Sequence, residues 1–456
     1  MEEGHPVDPD TPRRPHRPHR PYSPYPQPPY TARHPPPVGM DRPMTLSTVD
    51  APADTADPTA LPAPAAPVRR HSRPSVLAGA RRPDTGSAAD PAAPRIAGVG
   101  TAVTADSYTQ HELLDIFRIE DPKVRSVFLN SAIERRHLTI PPRDEDGRCL
   151  PESQGELLAK HRRLAVDMGS RALLGCLADA GLGLADIDYL CCVTTTGYLT
   201  PGLTALLIRE LGIAPDCHRM DVVGMGCNAG LNALNAVSAW SAAHPGQVAV
   251  MVCAEACSAA YAFDDTMRTA VVNSLFGDGA AAIAVVAGAE TARATEPAAG
   301  PGTEPAGASP GPRILSFASH IITDALGAMR YDWDDEQLRF SFFLDPEIPY
   351  VVGANAERVV DGLLSGAGLR RGDIAQWLVH SGGKKVIDAV RLNLGLTRHD
   401  VRHTTGVLRD YGNLSSGSFL FSYERLLRER VVRPGEYGVL MTMGPGSTIE
   451  TALVQW

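Results

Sequence analysis

Apolar and polar positions along residues 95–456 change repeatedly between the spacing of a strand and the spacing of a helix. The stretch CCVTTT (191–196) is apolar and β-branched, which is typical of a buried strand, and residues 201–213 have apolar side chains at helical spacing. Strands of this kind that are each followed by a helix favour mostly parallel sheets covered by helices. The pattern therefore predicts an α/β fold.

The same strand and helix pattern occurs twice. In the first copy, AGLGLADIDYL (180–190) leads into the strand and helix described above. In the second copy, AGLRRGDIAQWL (367–378) leads into the strand WLVH and a helix over 382–396. The two helices end in the related triplets LGI and LGL. A repeat of this length predicts two similar βα units packed as a pseudo-symmetric pair.

A further strand and helix are predicted after each unit. DVVGMG (221–226) runs into a helix that begins near Cys227, and we interpret residues 401–412 as the strand that runs into a helix beginning near Asn413. Cys227 and Asn413 are then expected at equivalent strand-to-helix junctions, and His380 ends the strand of the preceding unit. The three polar groups should converge near the pseudo-twofold axis.

Proline content predicts where the chain is folded. Residues 1–94 hold more than half of the 39 prolines and few large aliphatic residues, and we interpret them as a disordered tail. A second low-complexity stretch, 288–312, is expected to be a surface loop. It separates an N-terminal half (95–287), which carries the cysteine, from a C-terminal half (313–456), which carries the histidine and the asparagine.

Composition and charge exclude several classes of function. Hydrophobic residues make up 43% of the chain, which is enough for a sizeable core, and the net charge of −9 disfavours a nucleic-acid partner. The sequence shows neither a signal peptide nor an apolar run long enough to span a membrane, so we expect a cytoplasmic protein with no membrane partner. The eight cysteines lack CxxC spacing, and we predict no metal site.

Cys227 is a candidate nucleophile. A helix N-terminus favours the thiolate, and the glycines of GMGCNAG allow a ligand to approach the backbone closely. Taken alone, the motif leaves a buried and inert thiol as an equal alternative. His380 could pair with the thiolate and donate to an acyl oxygen, and Asn413 supplies a neutral amide donor.

Five segments together resemble the signature segments of type III polyketide synthases, the chalcone synthase family. They are GMGCNAGLNAL, NSLFGDGAAA, HSGGKKVID, YGNLSSGS and MGPGST, and the resemblance runs from about Arg95 to Trp456. It implies a thiolase-like fold in αβαβα layers, a homodimer, and a catalytic triad at Cys227, His380 and Asn413.

The resemblance also implies residues that contact the substrate. Phe276 of LFGDG matches the family's gatekeeper between the CoA tunnel and the cavity, and Thr200 replaces a methionine that a partner subunit inserts into the cavity. Gly382, Gly383 and Ser415 belong to matching segments and are expected to line the substrate site.

Two basic residues are candidates for binding CoA. Lys123 and Arg125, in DPKVR, lie near the family's basic cluster for the CoA phosphates. The match is poor at this point, so an ordinary solvated charge pair is the alternative.

The reaction implied is a decarboxylative Claisen condensation of malonyl-CoA on the cysteine, without a cofactor besides the CoA thioesters. Segments such as FASHIITDALGAMRYDWD resemble bacterial members that join four malonyl-CoA units, one of them as starter. Those members release a resorcinol-type ring as a CoA thioester for glycopeptide antibiotics, in pathways where accessory enzymes can take part.

Two alternatives stay open. A priming enzyme similar to ketoacyl synthase III has the same fold and triad but usually carries a His-Gln-Ala-Asn run, which HSGGKKVID lacks. A catalytically inactive thiolase-fold subunit would act only as a binding partner.

Overall fold

The computed structural model describes residues 93–260, 267–288, 311–335 and 338–456. The proposed tail and the proposed linker lie outside these residues, apart from a few positions at their ends. Both therefore stay predictions.

Strands and helices alternate through most of the described chain. The strands are β1 (Arg95–Ala102), β2 (Ser107–Thr109), β3 (Arg135–His137), β4 (Ile187–Thr194), β5 (His218–Val223), β6 (Val248–Glu255), β7 (Gly279–Val286), β8 (Arg313–Ile321), β9 (Met329–Asp334), β10 (Arg339–Leu344), β11 (Ile374–Val379), β12 (Tyr437–Gly444) and β13 (Thr448–Gln455). The α-helices are α1 (Gln110–Ile116), α2 (Pro122–Leu129), α3 (Gln154–Ala180), α4 (Leu203–Leu211), α5 (Ala229–Ala243), α6 (Met267–Leu275), α7 (Ile348–Gly366), α8 (Lys384–Leu394), α9 (Arg402–Tyr411) and α10 (Ser418–Glu429). None of these helices combines the length and apolar character needed to cross a membrane.

The LGI and LGL triplets end helices in the same way. Gly212 follows α4 with φ +68°, and Gly395 follows α8 with φ +70°. This left-handed conformation suits glycine and closes the last helical turn. The local chemistry of the repeat therefore produces the same helix ending twice.

Nine strands form the main sheet, in the order β11-β12-β13-β8-β1-β7-β6-β4-β5. The two halves join in it through a single residue pair between β1 and β8, Arg95 and Arg313. Each half thus contributes its own group of strands.

Strand directions are mixed, so the expectation of mostly parallel sheets is wrong. Strand β4 is parallel to β5 and β6, and β11 is parallel to β12, but the other neighbours in the sheet are antiparallel. The physical reason is that β12 returns directly as β13 through the short turn Pro445–Ser447, and β1 enters between β7 and β8.

Three groups of buried side chains form the layers. Helices α3 and α4 cover the outer face of the first half, and α7 and α8 cover the outer face of the second. Helices α5 and α10 pack between the two groups of strands. The order is αβαβα, as the family resemblance implies.

Residues 401–412, predicted from sequence to be a strand, contain helix α9 (Arg402–Tyr411) instead. Its buried side chains include His403, Val407 and Leu408, which share one helical face. Asn413 consequently lies between two helices, α9 and α10. The expectation that it occupies a strand-to-helix junction is wrong.

Candidate active site

Cys227 lies at the junction between β5 and α5, in a short turn over Gly226–Asn228. Gly226 has φ +74°, and a Cβ atom there would lie 2.2 Å from Cδ of Pro445. Only glycine fits this approach, because any side chain would meet the β12–β13 turn. The cysteine is thereby fixed against the second half of the molecule.

Cys227, His380 and Asn413 line one cavity of about 420 Å³. Gly382, Gly383 and Phe276 line it as well, so six of the residues expected at the substrate site share this space. A cavity of this size is in the range that accommodates small ligands.

His380 directly follows β11, and the backbone holds it in place. Its amide donates to the carbonyl of Met441 over 2.8 Å, and ring nitrogen Nδ1 is hydrogen-bonded to the hydroxyl of Ser418. Burial lowers the pKa of His380 to about 3. The imidazole is therefore neutral at physiological pH.

Asn413 is anchored on both sides of its backbone. Its amide donates to the carbonyl of Leu275 over 2.9 Å, and its carbonyl accepts from the amide of Gly277 over 3.0 Å. The side-chain oxygen accepts from the amide of Ser415 over 2.8 Å. The amide nitrogen Nδ2 is therefore the group of Asn413 that can donate to a ligand.

Cys227 has a neutral thiol rather than the thiolate expected from the helix N-terminus. Burial raises its pKa to about 12, and this effect exceeds the opposite influence of the Ser415 hydroxyl and the Asn413 amide. In the free site, burial therefore outweighs the hydrogen bonds that favour the thiolate.

A hydrogen-bond chain leads from Cys227 to a buried carboxylate. The Ser415 hydroxyl lies 3.5 Å from the Cys227 sulfur and 2.9 Å from the Thr195 hydroxyl. The backbone amide and hydroxyl of Thr195 donate to Glu255 over 2.9 and 3.0 Å, and the Ser416 hydroxyl donates to the other carboxylate oxygen. Burial raises the pKa of Glu255.

Two aromatic rings stand together at the cavity wall. Phe276 meets Phe342 edge to face, with ring centroids 5.9 Å apart and planes at 87°. Phe342 belongs to β10, and Met329 at the start of β9 also lines the cavity. The β9–β10 hairpin therefore supplies one side of the site.

Comparisons with known proteins show the family to which the chain belongs. The family model for the N-terminal domain of chalcone and stilbene synthases matches residues 153–290, and the model for the C-terminal domain matches residues 315–456. The chain belongs to the chalcone and stilbene synthase family. It is a type III polyketide synthase, an enzyme with condensing acyltransferase activity.

Two curated relatives are similar to this chain over most of its length. The 3,5-dihydroxyphenylacetyl-CoA synthase of Amycolatopsis balhimycina is 70% identical over 362 residues, which is 79% of this chain and 93% of the relative. The enzyme of the same name from Streptomyces toyocaensis is 70% identical over 366 residues, 80% of this chain and 91% of the relative.

Solved structures share the fold. PKS-I from the brown alga Ectocarpus siliculosus superposes with a TM-score of 0.71 at 26% identity, over 80% of this chain and 98% of that one. The 1,3,6,8-tetrahydroxynaphthalene synthase of Streptomyces coelicolor A3(2) gives 0.69 at 27% identity, over 79% and 99%. The thiolase-like fold implied by the sequence motifs is thus confirmed.

Four expected residues of this type III polyketide synthase lie outside the cavity wall. Thr200 is exposed on the loop after β4. Lys123 is exposed on α2, and Arg125 donates to the carbonyl of Ile119 over 2.9 Å. Ser126 and other residues of the same helix do line the cavity. The Ser415 hydroxyl lies 3.5 Å from the Cys227 sulfur, but Ser415 does not line the cavity.

Sequence reasoning missed several residues of the site. Lys384 and Lys385 line the cavity at the first turn of α8, and they are half of the four lysines in the chain. The signal for Glu255 was a single charge at the end of VAVMVCAE, a strand whose every residue is buried. No sequence pattern predicts Phe342 at the site, because its contact with Phe276 joins residues that are far apart in the chain. Within the described ranges, no cluster of three or more His, Cys, Asp or Glu side chains could hold a metal ion.

Proposed function

We propose that the chain condenses four malonyl-CoA units and cyclises them to 3,5-dihydroxyphenylacetyl-CoA. The observation that carries the chemistry is the convergence of a thiol, an imidazole and a carboxamide on one cavity. The identity of 70% to two synthases of that name supports the product.

Cys227 is the nucleophile in this proposal. Its sulfur attacks the thioester carbonyl of the starter, and His380 takes the thiol proton and passes it to the departing CoA sulfur. Both groups begin neutral, so proton transfer accompanies the attack instead of preceding it. Ser418 can donate to or accept from Nδ1 of His380, which allows the ring to present either an acceptor or a donor.

His380 and Asn413 stabilise the charge formed when malonyl-CoA loses carbon dioxide. The enolate oxygen accepts from Nδ2 of Asn413 and from the His380 ring, and the enolate carbon then attacks the acyl-cysteine carbonyl. A donor of this kind is worth about 3–4 kcal/mol in the transition state. The anchored backbone of Asn413 supports this role, since the donor needs no reorganisation.

The CoA phosphates are proposed to meet the lysines at the cavity entrance. Lys123 and Arg125 are the pair expected from sequence, and Lys384 and Lys385 line the cavity at the N-terminus of α8, where Lys384 also pairs with Asp388 over 2.6 Å. Charge there attracts an anionic carrier. We propose no cofactor besides the CoA thioesters.

A cytoplasmic homodimer is proposed as the active form, with Thr200 of one subunit reaching the cavity of the other. Thr200 and its neighbour Tyr198 are exposed, and the Tyr198 side chain is 73% accessible to solvent. Their loop follows β4, next to β5 at the end of the sheet. Both features suit a surface that a second copy covers.

The experiment supplies malonyl-CoA alone to the full chain and identifies products by mass spectrometry. We expect an aromatic CoA thioester, and radiolabelled malonyl-CoA should label Cys227 covalently. Cys227→Ala should abolish labelling and turnover, whereas Cys217→Ala, a cysteine outside the cavity, should retain both. A requirement for acyl carrier protein would favour a priming enzyme, and absence of labelling would favour an inactive subunit.

A further inference from the structure

Arg136 is a fully buried cation beside the active site. It is the middle residue of β3, and only 1% of its surface is exposed to solvent. Burial lowers its pKa to about 9, so the guanidinium is still charged at neutral pH. Among the residues that the structure describes, its hydrogen bonds go to neutral oxygens and not to a carboxylate. The charge of Asp278 favours the charged form and the Phe128 ring lies 5.8 Å from the guanidinium carbon, but no carboxylate of the described residues accepts a hydrogen bond from it. Burying a charge in this way is expensive, so its retention calls for a reason.

The guanidinium connects two segments of the cavity wall. It donates from Nη1 to the carbonyl of Phe276 over 2.8 Å, and from Nη2 and Nε to Oε1 of Gln110 over 2.9 and 3.2 Å. Gln110 in turn donates to the carbonyl of Ser274 over 2.7 Å and to the hydroxyl of Ser131 over 2.9 Å. The backbone around Phe276 is therefore held at two carbonyls by one polar unit.

The same segment is hydrogen-bonded to Asn413. Two backbone hydrogen bonds join Leu275 and Gly277 to Asn413, so the residues on either side of Phe276 fix the amide residue of the site. A Cβ atom at Gly412 would lie 2.9 Å from Cδ of Arg136, which means that the arginine stem packs directly on the backbone before Asn413.

We propose that Arg136 is a positioning residue for the condensation. It sets the Phe276 ring and the Asn413 amide together relative to Cys227, through the Phe276 carbonyl on one side and the Gly412 backbone on the other. This inference rests on the roles proposed above for Cys227 and Asn413. Arg136 does not line the cavity, so it acts through its neighbours and touches no substrate.

A purely structural role predicts a different behaviour. An apolar side chain of similar length would fill the space but leave the Phe276 carbonyl and the Gln110 side-chain oxygen without their donor. A purely structural role therefore predicts a lower free energy of unfolding with kcat kept in the folded protein. A misplaced reacting group, by contrast, lowers the rate strongly even when the fold is intact. Measurements of kcat and of the free energy of unfolding therefore distinguish a positioning role from a purely structural one.

The test compares Arg136→Met, Arg136→Lys and Arg425→Met in the full chain with malonyl-CoA as substrate. Arg425 pairs with Asp410 and lies away from the cavity, so it controls for loss of an arginine contact. We expect Arg136→Met to lower kcat by about 10–100-fold with little change in KM, and to shift products towards shorter chains. Arg136→Lys keeps a donor for Phe276 and should recover part of the rate, while Arg425→Met should keep kcat and product partition.

Unchanged kcat and product partition in a folded Arg136→Met variant would overturn the inference, whatever happens to its melting temperature. Should that variant fail to fold, Arg136→Lys and Gln110→Leu test the inference instead. Both weaken the hydrogen bonds among Arg136, Gln110 and Phe276 without burying a methionine. A loss of kcat with altered products in both supports positioning, and normal kinetics in both overturns it. A wild-type chain that does not consume malonyl-CoA would instead refute the proposed function.

Discussion

The chemical state of Cys227 depends on competing effects around one sulfur atom. Burial favours the neutral thiol, whereas the Ser415 hydroxyl and the Asn413 amide favour the thiolate, and burial is the larger effect. The nearby negative charge of Glu255 repels a thiolate and adds to the preference for the thiol. In the free protein, these effects together keep the proposed nucleophile as a thiol.

Replacement of Glu255 by glutamine should lower the pKa of Cys227. Glutamine keeps an acceptor for Thr195 but removes the negative charge, which disfavours the thiolate. The rate of Cys227 alkylation by iodoacetamide, followed by peptide mass mapping, should keep rising through pH 10 in the wild type and begin its rise at lower pH in the variant. Glu450→Gln, at another buried carboxylate, is the control. Equal profiles for both variants would contradict the role of Glu255.

His161 gives the stability a pH dependence of known sign. Burial lowers its pKa to about 4, so the unfolded state binds a proton more readily below its ordinary pKa of 6.5. Stability is then lost as the pH falls through this range, by about 2 kcal/mol at pH 5. Urea unfolding at pH 7.5 and 5 should show a smaller difference in His161→Gln than in the wild type. The exposed His111→Gln variant should behave like the wild type; a difference between pH values that His161→Gln leaves unchanged would refute the argument.

Residue types at the site were readable from sequence where a motif carried them. Cys227, His380 and Asn413 each belong to a short segment with neighbouring glycines or serines, and the three line one cavity. Their protonation could not be read in the same way, because it depends on burial by elements distant in the chain. Arg136 gave no signal either, since its partners Gln110 and Phe276 lie on other segments.

At the scale of elements, periodicity predicted the repeated βα units but not every strand. The endings at Gly212 and Gly395 follow from local backbone chemistry and repeat as expected. The strand predicted over 401–412 is wrong: Val401, Thr404 and Thr405 favour a strand by residue type, whereas the spacing of the buried positions is helical. The position of Asn413 therefore depends on a loop between two helices and a bridge to Phe276.

Two helical glycines should respond oppositely to alanine. A Cβ atom at Gly230 in α5 would lie 2.2 Å from the carbonyl oxygen of Ser416, whereas one at Gly362 in α7 meets nothing within 4 Å. We expect Gly230→Ala to lower the free energy of unfolding by about 2–3 kcal/mol, and Gly362→Ala to raise it by about 0.5–1 kcal/mol. Chemical denaturation measures both. A stabilised Gly230→Ala variant would show that α5 and the 415–417 turn are not packed as described.

At the scale of the whole molecule, the site exists because two halves meet. Cys227 comes from the first half, and His380 and Asn413 come from the second, while the central helices α5 and α10 hold the halves together. The turn at Pro445 pressing on Gly226 sets the cysteine against the second half. Loss of the contact between Pro445 and Gly226 should therefore lower the rate of catalysis more than it lowers the stability of either group of strands.

The open edge of the sheet leads to a prediction about assembly. Strand β5 ends the nine-stranded order, so one side of its backbone has no neighbour within the described chain, and Val223 at its end is 41% exposed. An unpaired edge with apolar residues invites a second strand, and lysine on such an edge opposes pairing. If two copies join along β5, Val223→Lys should convert a dimer into a monomer in sedimentation velocity experiments. Leu392→Lys places the same charge on an exposed apolar position of α8, which packs on the second half of the molecule, and should leave the dimer intact. A monomeric wild type would exclude a dimer, and dimers in both variants would place the subunit contact away from β5. In either case Thr200 could not reach a second cavity from this edge.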